Sequence, residues 1–514
     1  MSGNKINPGN ELPMDELLQA AASELPPPSE TVEEISPWKK AVKQILFGLA
    51  LQTVKLEFGM LDYILPLCGV FLLLLGFRSL RRENRHFGVG YVFTLLRTIL
   101  CFSSFTLDAT IWKSIDPIAQ IIPWILYIGI AINMAIIICL RNGFVSVQRK
   151  AGVPVDAGNA TALVVWYAVL SLSAFVTKAV TERIGTFENY SLISWCIIIL
   201  LIIYVLILIS YYRQSMKIME TSGYVIAPAP VRISTKPFCI ILGGILSVCM
   251  TVTYIFFNQY PMNWTSVPAS AHEEVQEIKA NLLELGFPDY LLDSMTVEDI
   301  LSCQDAVYVQ IDYEERSLID GKITQTEGEK ANLYDLATAI VSVRLAGDHQ
   351  WKFFHYFEWL TEPNVHRVDA LLISPVYQNE QFFLPVGELG EISGRLLYDR
   401  DGETFSSSDY TSNCTVRQTE FLFTKSRKID IVAGFSFPRD GEHYRGYFCY
   451  NARQNNDRFS LNTWSTYFHP KSWLQYPMMP ADKVAHASSF ASIFRSSAFY
   501  DLDQVGVLRV NDAK

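Results

Sequence analysis

The run Cys196-Ile-Ile-Ile-Leu-Leu-Ile-Ile-Tyr-Val-Leu-Ile-Leu-Ile is apolar on every face of a helix. A helix in water buries one stripe and leaves the rest polar, so such a run belongs in hydrocarbon. It does not stand alone. Membrane spans are expected at Asp62–Phe77, Gly88–Asp108, Pro117–Leu140, Thr161–Val180, Tyr190–Tyr212 and Pro237–Phe257. Each approaches or reaches the roughly 17–25 mostly apolar residues that about 30 Å of hydrocarbon requires, the first being the shortest. A seventh segment, Ala41–Met60, mixes Ile45-Leu-Phe-Gly-Leu-Ala-Leu with Lys43, Gln44, Gln52, Lys55 and Glu57. Its two readings are a short span that pairs with the next one and an amphipathic helix lying in the interface. The first forty residues hold no apolar stretch, so no cleavable signal peptide is expected and the first membrane segment would act as its own insertion signal.

The apolar runs stop near residue 257. Of the 514 residues 50% are hydrophobic and 18% charged, and the mean hydropathy is +0.18. That balance fits a chain that is part membrane and part soluble. A net charge of −10 argues against nucleic acid as the main partner. Four regions follow: an acidic polar tail over 1–37, a transmembrane helical bundle over 38–257, a linker and short helical cap over 258–304, and a β-rich domain over 305–514.

Orientation is read from the cations in the short loops. Arg78, Arg81, Arg82, Arg85, Arg141, Arg149, Lys150, Arg213, Lys217, Arg232 and Lys236 fall in alternate loops, against Lys113, Lys178 and Arg183 in the others. Eleven against three puts the first set in the cytoplasm and the C-terminal domain outside. The tail carries Glu11, Asp15, Glu16, Glu24, Glu30, Glu33 and Glu34 against Lys5 alone. It reads as a solvated segment, with a docking helix for a cytoplasmic partner as the alternative.

The strings Glu24-Leu-Pro-Pro-Pro, Ser36-Pro-Trp-Lys-Lys, Leu61-Asp-Tyr-Ile-Leu-Pro and Leu74-Leu-Gly-Phe-Arg-Ser-Leu-Arg-Arg-Glu-Asn cover roughly the first 90 residues. They resemble multi-pass membrane proteins of Gram-positive bacteria that have no assigned activity. The resemblance implies a bacterial cell-membrane location and no particular chemistry.

Arg97 lies in mid-span, where a charge costs roughly 2.5–3.5 kcal/mol even on the lenient insertion scale. It should face the bundle interior, with Asn133 on the next span as its candidate partner. The pair reads either as an intramembrane polar site on a substrate path or as a structural interhelical bond.

Beyond the membrane, Val275, Ile278, Leu282, Leu283 and Leu285 recur at helical spacing, and Thr296-Val-Glu-Asp offers a capping-box start. From about Asp305 the period becomes two. Eight strand-like runs begin at Ala306, Ala337, Trp351, Glu380, Glu391, Glu420, Asp430 and Tyr444, which predicts an antiparallel sandwich or jelly-roll-like domain. Arg400-Asp-Gly-Glu recurs as Arg439-Asp-Gly-Glu. Both read as hairpin turns, with a calcium turn from Asp399, Asp401 and Glu403 as the lesser reading. His349 and His355, with Asp348 and Glu358, are a candidate zinc set, although buried histidines fit this aromatic strand better. Cys414 and Cys449 are the candidate bridge among nine cysteines. Trp464, Tyr467, Trp473 and Tyr476 are the candidate ligand surface, since aromatics hold sugars and peptides. No catalytic motif is present and no cofactor is called for. The favoured reading is a membrane-anchored domain that binds an envelope ligand or partner. A transporter using Arg97 is the alternative, and an outer-surface enzyme comes third.

Overall fold

A computed structural model describes residues 37–53, 61–114, 118–184, 190–227, 229–231, 233–267, 273–318, 322–325, 334–347, 350–378, 383–385, 389–408, 415–421, 424–453, 460–475, 478–485 and 497–508. The N-terminal half is helical: α1 (Trp38–Thr53), α2 (Leu61–Leu80), α3 (Arg85–Asp108), α4 (Ile118–Lys150), α5 (Gly158–Ile184), α6 (Tyr190–Ser222) and α7 (Thr235–Phe257). Five of them, α2, α3, α4, α6 and α7, are long and apolar enough to cross a membrane. The described part of α5, Gly158–Ser173, is a shorter apolar helix.

Helix α1 has 16 residues, about 24 Å at 1.5 Å per residue, which is short of the hydrocarbon thickness. It is nevertheless not a surface element. Trp38, Ala41, Val42, Ile45, Leu46 and Leu49 are buried in the bundle core. The Trp38 ring stacks on Phe144 and meets Phe87 edge-on, and its Nε1 donates to the Ser215 carbonyl at 3.1 Å. α1 runs antiparallel to α2 with backbones almost touching. A Cβ on Gly69 would lie 2.8 Å from the Gly48 carbonyl oxygen, and one on Gly76 would lie 2.7 Å from that of Ala41. Small residues serve helix pairing in lipid this way, because dispersion rather than the hydrophobic effect drives the contact.

The basic loops gather at one end of the bundle. Arg78 donates to the Ile233 carbonyl and Arg81 to that of Pro230 at 2.7 Å. Glu83 accepts from Lys150 at 2.9 Å and from the Tyr224 hydroxyl at 3.0 Å, and Asn84, which also caps α3, reaches the Gly143 carbonyl.

The second half begins with β1 (Thr265–Ser266) and three short helices, α8 (Glu273–Glu284), α9 (Asp289–Ser294) and α10 (Val297–Leu301). The strands are β2 (Ala306–Arg316), β3 (Ile323–Thr324), β4 (Leu336–Leu345), β5 (Gln350–Trp359), β6 (Asp369–Gln378), β7 (Phe383–Pro385), β8 (Leu389–Arg400), β9 (Glu403–Ser407), β10 (Thr415–Phe421), β11 (Thr424–Phe435), β12 (Glu442–Arg453), β13 (Ser460–Pro470) and β14 (Phe499–Gly506), with α11 (Ala481–Ala485) between the last two. All pairings are antiparallel. One sheet runs β1-β9-β8-β12-β5-β4-β2-β3, and the other runs β10-β11-β6-β13-β14 with β7 beside β6.

Period two decides which layer each residue joins. On β5, Trp351, Phe353, Phe357 and Trp359 meet Leu371, Ile373, Phe435 and Tyr467 of the other sheet. The alternate residues Phe354 and Tyr356 join α8–α10 in a second core with Leu282, Phe287, Leu291 and Ile300. The helical cap therefore covers the outer face of the eight-stranded sheet. The outer face of the six-stranded sheet packs Ala370, Val432 and Phe468 against α11, Tyr260 and Ile111, and Ile111 directly follows α3.

Three of the longer strands, β6, β13 and β14, are absent from the eight runs of the sequence, as are the short β1, β3 and β9. β6 carries Pro375 in its interior, which usually argues against a central strand. Its pairing with β11 ends at Ile373 and that with β7 starts at Val376, so on that edge Pro375 sits in a gap, while on the other it stays in register with Thr463 of β13. β13 is buried on both faces over much of its length and so shows no alternation. β14 lay beyond the last run considered. The first Asp-Gly is a hairpin turn as expected, with Asp401 at φ 54°, Gly402 at φ 79° and Arg400 paired with Glu403. The second is not. Arg439–Glu442 links β11 of one sheet to β12 of the other, and the left-handed residue is His443 at φ 55°.

The α1–α2 seam gives a matched test. Gly69→Ala should lower thermal stability in detergent by about 1–3 kcal/mol through overpacking. Gly243→Ala on α7, which meets no atom within 4 Å, should be neutral or slightly stabilising.

Candidate functional site

In mid-bundle the expected pair forms. Arg97 Nε donates to Asn133 Oδ1 at 3.1 Å, and the buried Tyr167 of α5 lies close to both. Gly129, one turn before Asn133 on α4, faces the guanidinium, and a Cβ there would make an ordinary van der Waals contact with Arg97 Nη1 at 3.7 Å. Three helices thus contribute to one polar cluster in mid-bundle. Asn133 is buried, whereas Leu96 and Ile99 beside Arg97 point outward, so α3 turns its charge inward and its leucine and isoleucine to the outside of the bundle.

The aromatic ligand surface does not form as expected. Tyr467 is buried between the sheets, where its hydroxyl donates to Asp369 Oδ2 at 2.6 Å and accepts from Trp359 Nε1 at 3.1 Å. Trp464 is 46% exposed and lies on the same face of β13 as Phe468, the face opposite Tyr467. Three residues along a strand reverse the face. Trp473, 59% exposed, stands past the end of the strand, and Tyr476 lies outside the described residues.

Of the zinc set, the two described residues, His355 and Glu358, do not converge, and His355 fits the buried-histidine reading. His355 points into the core between the sheets, where Thr463 lies 3.2 Å from its Nε2 and burial pushes its pKa down to about 3. Glu358 is three residues away on the other face, bonded by Tyr356 and His443, and Asp348 and His349 lie outside the described residues. Among the described residues no group of three metal-ligating side chains converges. Asp399 of the calcium reading is occupied by Arg445, His443 and Thr404. Cys449 is a free, buried thiol, and Cys414 lies outside the described residues.

The densest polar cluster had not been singled out. Thr296 caps α10 as the spacing of Thr296-Val-Glu-Asp implied, accepting from the Asp299 N–H at 3.2 Å and donating its hydroxyl to Asp299 Oδ2. The box is not reciprocal, since the Thr296 N–H donates to the Tyr447 hydroxyl instead. Asp299 then reaches through to the sheet. Its Oδ1 accepts from Lys352 Nζ at 2.9 Å and Ser393 at 2.6 Å, and its Oδ2 accepts from the Tyr447 hydroxyl at 2.6 Å. Lys352 also donates to Ser302 at 2.5 Å, and the Cys449 thiol lies 3.4 Å from Asp299 Oδ1. Burial alone would raise the Asp299 pKa, but the Lys352 charge and the hydroxyl donors hold it below the carboxylate norm. Burial drives the Cys449 thiol far above its usual range, so it is no activated nucleophile. This cluster ties the helical cap to β5, β8 and β12. The signal in the sequence was Lys352, a cation inside an otherwise aromatic strand.

Two further cations join the halves of the molecule. Lys483 Nζ of α11 donates to the carbonyls of Leu107, Asp108 and Thr110 at the end of α3, at 3.3, 3.2 and 2.6 Å. Arg367 Nη1 donates to the Ile255 carbonyl near the end of α7 at 2.5 Å, with its guanidinium over the Tyr254 ring. Gln259 donates to the His366 carbonyl and the Tyr260 hydroxyl to Asp482, both at about 3 Å. Thr251 of α7 approaches Met478 Sδ at 3.8 Å. The β domain therefore docks at the bundle end opposite the basic loops. No protein-family model, curated protein or solved structure matches the chain.

Breaking one member of the Asp299–Lys352 pair leaves a buried charge alone. Lys352→Met should cost about 3–5 kcal/mol. The double variant Asp299→Asn/Lys352→Met should cost clearly less than the sum of the two single changes, as measured by chemical unfolding in a double-mutant cycle.

Proposed function

We propose that this chain is a bacterial envelope protein whose helical bundle holds a β-sandwich outside the cytoplasmic membrane, where the sandwich binds an envelope ligand or a partner protein. Seven crossings, by α2–α7 and by the short α1 that packs antiparallel to α2, leave the N-terminal tail in the cytoplasm. The observation that carries the reading is the docking of the β domain on two helix ends through Lys483 and Arg367. A loosely tethered anchor needs no such contact. A domain that reports its bound state to the bundle does, and the acidic tail is the place where a cytoplasmic partner would read it. The eleven cations of the basic loops support the orientation.

Protease treatment of intact spheroplasts, with separate tags on the two termini, tests this. Loss of the C-terminal tag alone is expected. A protected C-terminal tag would contradict the outward β domain, and loss of both tags would remove the cytoplasmic tail.

The Arg97–Asn133–Tyr167 cluster favours a second reading, a transporter or transporter subunit with its path at mid-depth. Arg97→Leu separates the two. The anchor reading expects unchanged insertion and equal or higher thermal stability. An ion flux in proteoliposomes that disappears with Arg97→Leu, in a protein still inserted, would favour transport.

A further inference from the structure

A pocket of about 240 Å³ opens where the last bundle helix hands over to the β domain, lined by Gln259, Tyr260, Met262, Trp264, Phe437 and Arg439, with Ser436 and Pro438 completing the wall. Trp264 forms its apolar side and is fixed by the core, edge-on to Tyr398 at 4.8 Å and stacked on Phe437 at 6.0 Å. Ser436 accepts from the Tyr260 amide at 3.0 Å, which leaves its hydroxyl proton free to donate. Arg439 is exposed and has no hydrogen-bond or ion-pair partner among the described residues. The carboxylate beside it in sequence, Asp440, is held by Arg400 at 2.9 Å, and no carboxylate lines the pocket. Arg367 and His366 lie near enough to feel the Arg439 charge.

The depth of the pocket is what identifies a ligand. Gln259 stands two residues past Phe257, the last residue of α7. Extended chain advances at most about 3.6 Å per residue, so Gln259 lies within about 7 Å of the helix end. The headgroup layer of a bilayer is about 5–8 Å deep on each side. The ring of Phe257 meets that of Trp112 at 4.6 Å, and aromatic side chains of this kind mark the membrane–water interface. A partnerless guanidinium in that layer faces phosphodiesters.

We propose that this pocket binds the phosphate of a membrane phospholipid headgroup. Arg439 pairs with the phosphate oxygens, Ser436 donates to them, and Trp264 and Met262 lie against the glycerol. The proposal rests on the reading that α7 crosses a bilayer. It adds a lipid ligand which that reading does not require. A soluble phosphate ester would share the same chemistry, and competition distinguishes the two sources.

The test is native mass spectrometry of the full-length protein in detergent, titrated with phosphatidylglycerol and then with inorganic phosphate as competitor. Wild-type protein should retain the lipid, and Arg439→Glu should weaken retention about tenfold to a hundredfold, the range for loss of a charge-assisted bond. In delipidated protein the thermal midpoint should not fall, since Arg439 has no protein partner to lose, whereas added lipid should raise the midpoint of wild type more than that of the variant. Lipid that stays bound under excess inorganic phosphate supports the headgroup assignment. Ready displacement by inorganic phosphate would transfer the site to a soluble phosphate compound and overturn it. Absence of lipid from wild type, or equal retention by both proteins, would also overturn it. Because the spheroplast experiment reads topology independently, failure of lipid binding with an outward C-terminal domain would sink the pocket alone.

Discussion

A helix that stops at the edge of a hydrocarbon layer leaves its last carbonyls without intrahelical partners and a partial negative charge at that end. In this protein two such ends, those of α3 and α7, are answered by Lys483 and Arg367 from the other half of the chain. The placement of the β domain over the bundle depends on that exchange. Each cation reaches more than a hundred residues back in sequence, and each satisfies groups that water or headgroups would otherwise have to meet. Oppositely signed helix ends and side chains gain typically a few tenths to about 1 kcal/mol each, and more when partly buried. The apolar contacts of Ile111 and Tyr260 with α11 and the six-stranded sheet add to the same junction.

The β half solves a burial problem of its own. The middle strands of the eight-stranded sheet are apolar on both faces, so one face packs on the other sheet and the second needs a separate cover. The helices α8–α10 supply it, and the Asp299–Lys352 pair fixes where they sit. Such a pair adds little net stability over an apolar replacement, but it is costly to break singly. What it adds is register, since it joins the cap to one position on a sheet whose outer face is otherwise a field of similar apolar side chains.

The apolar runs made the helical half legible, because a membrane leaves few alternatives to a helix. The Arg97–Asn133 bond was equally legible, since a charge at mid-depth must find a partner and Asn133 was at hand. Runs of β-branched and aromatic residues exposed strands even where both faces are buried, as on β4 and β5. The reading failed at β13, where the buried Asn462, Thr463 and Ser465 interrupt the apolar pattern, and at β6, where Pro375 sits in a pairing gap. The same blindness placed Tyr467 in a ligand surface, although it faces the core. Lys483 and Arg367 carried no local pattern at all, because what they meet is backbone carbonyl from distant sequence, which leaves no side-chain signature.

The most direct test of the docked arrangement is a cross-link between the halves. Thr251→Cys and Met478→Cys replace a pair whose side chains approach to 3.8 Å, and Cys249→Ser removes the exposed thiol two residues away. In nanodiscs treated with a short thiol–thiol cross-linker, which spans the length lost when Met478 becomes cysteine, mass spectrometry should find the two peptides joined within one chain in most molecules. Free thiols at both positions, or links only between different chains, would contradict the docking of the β domain on the ends of the helices.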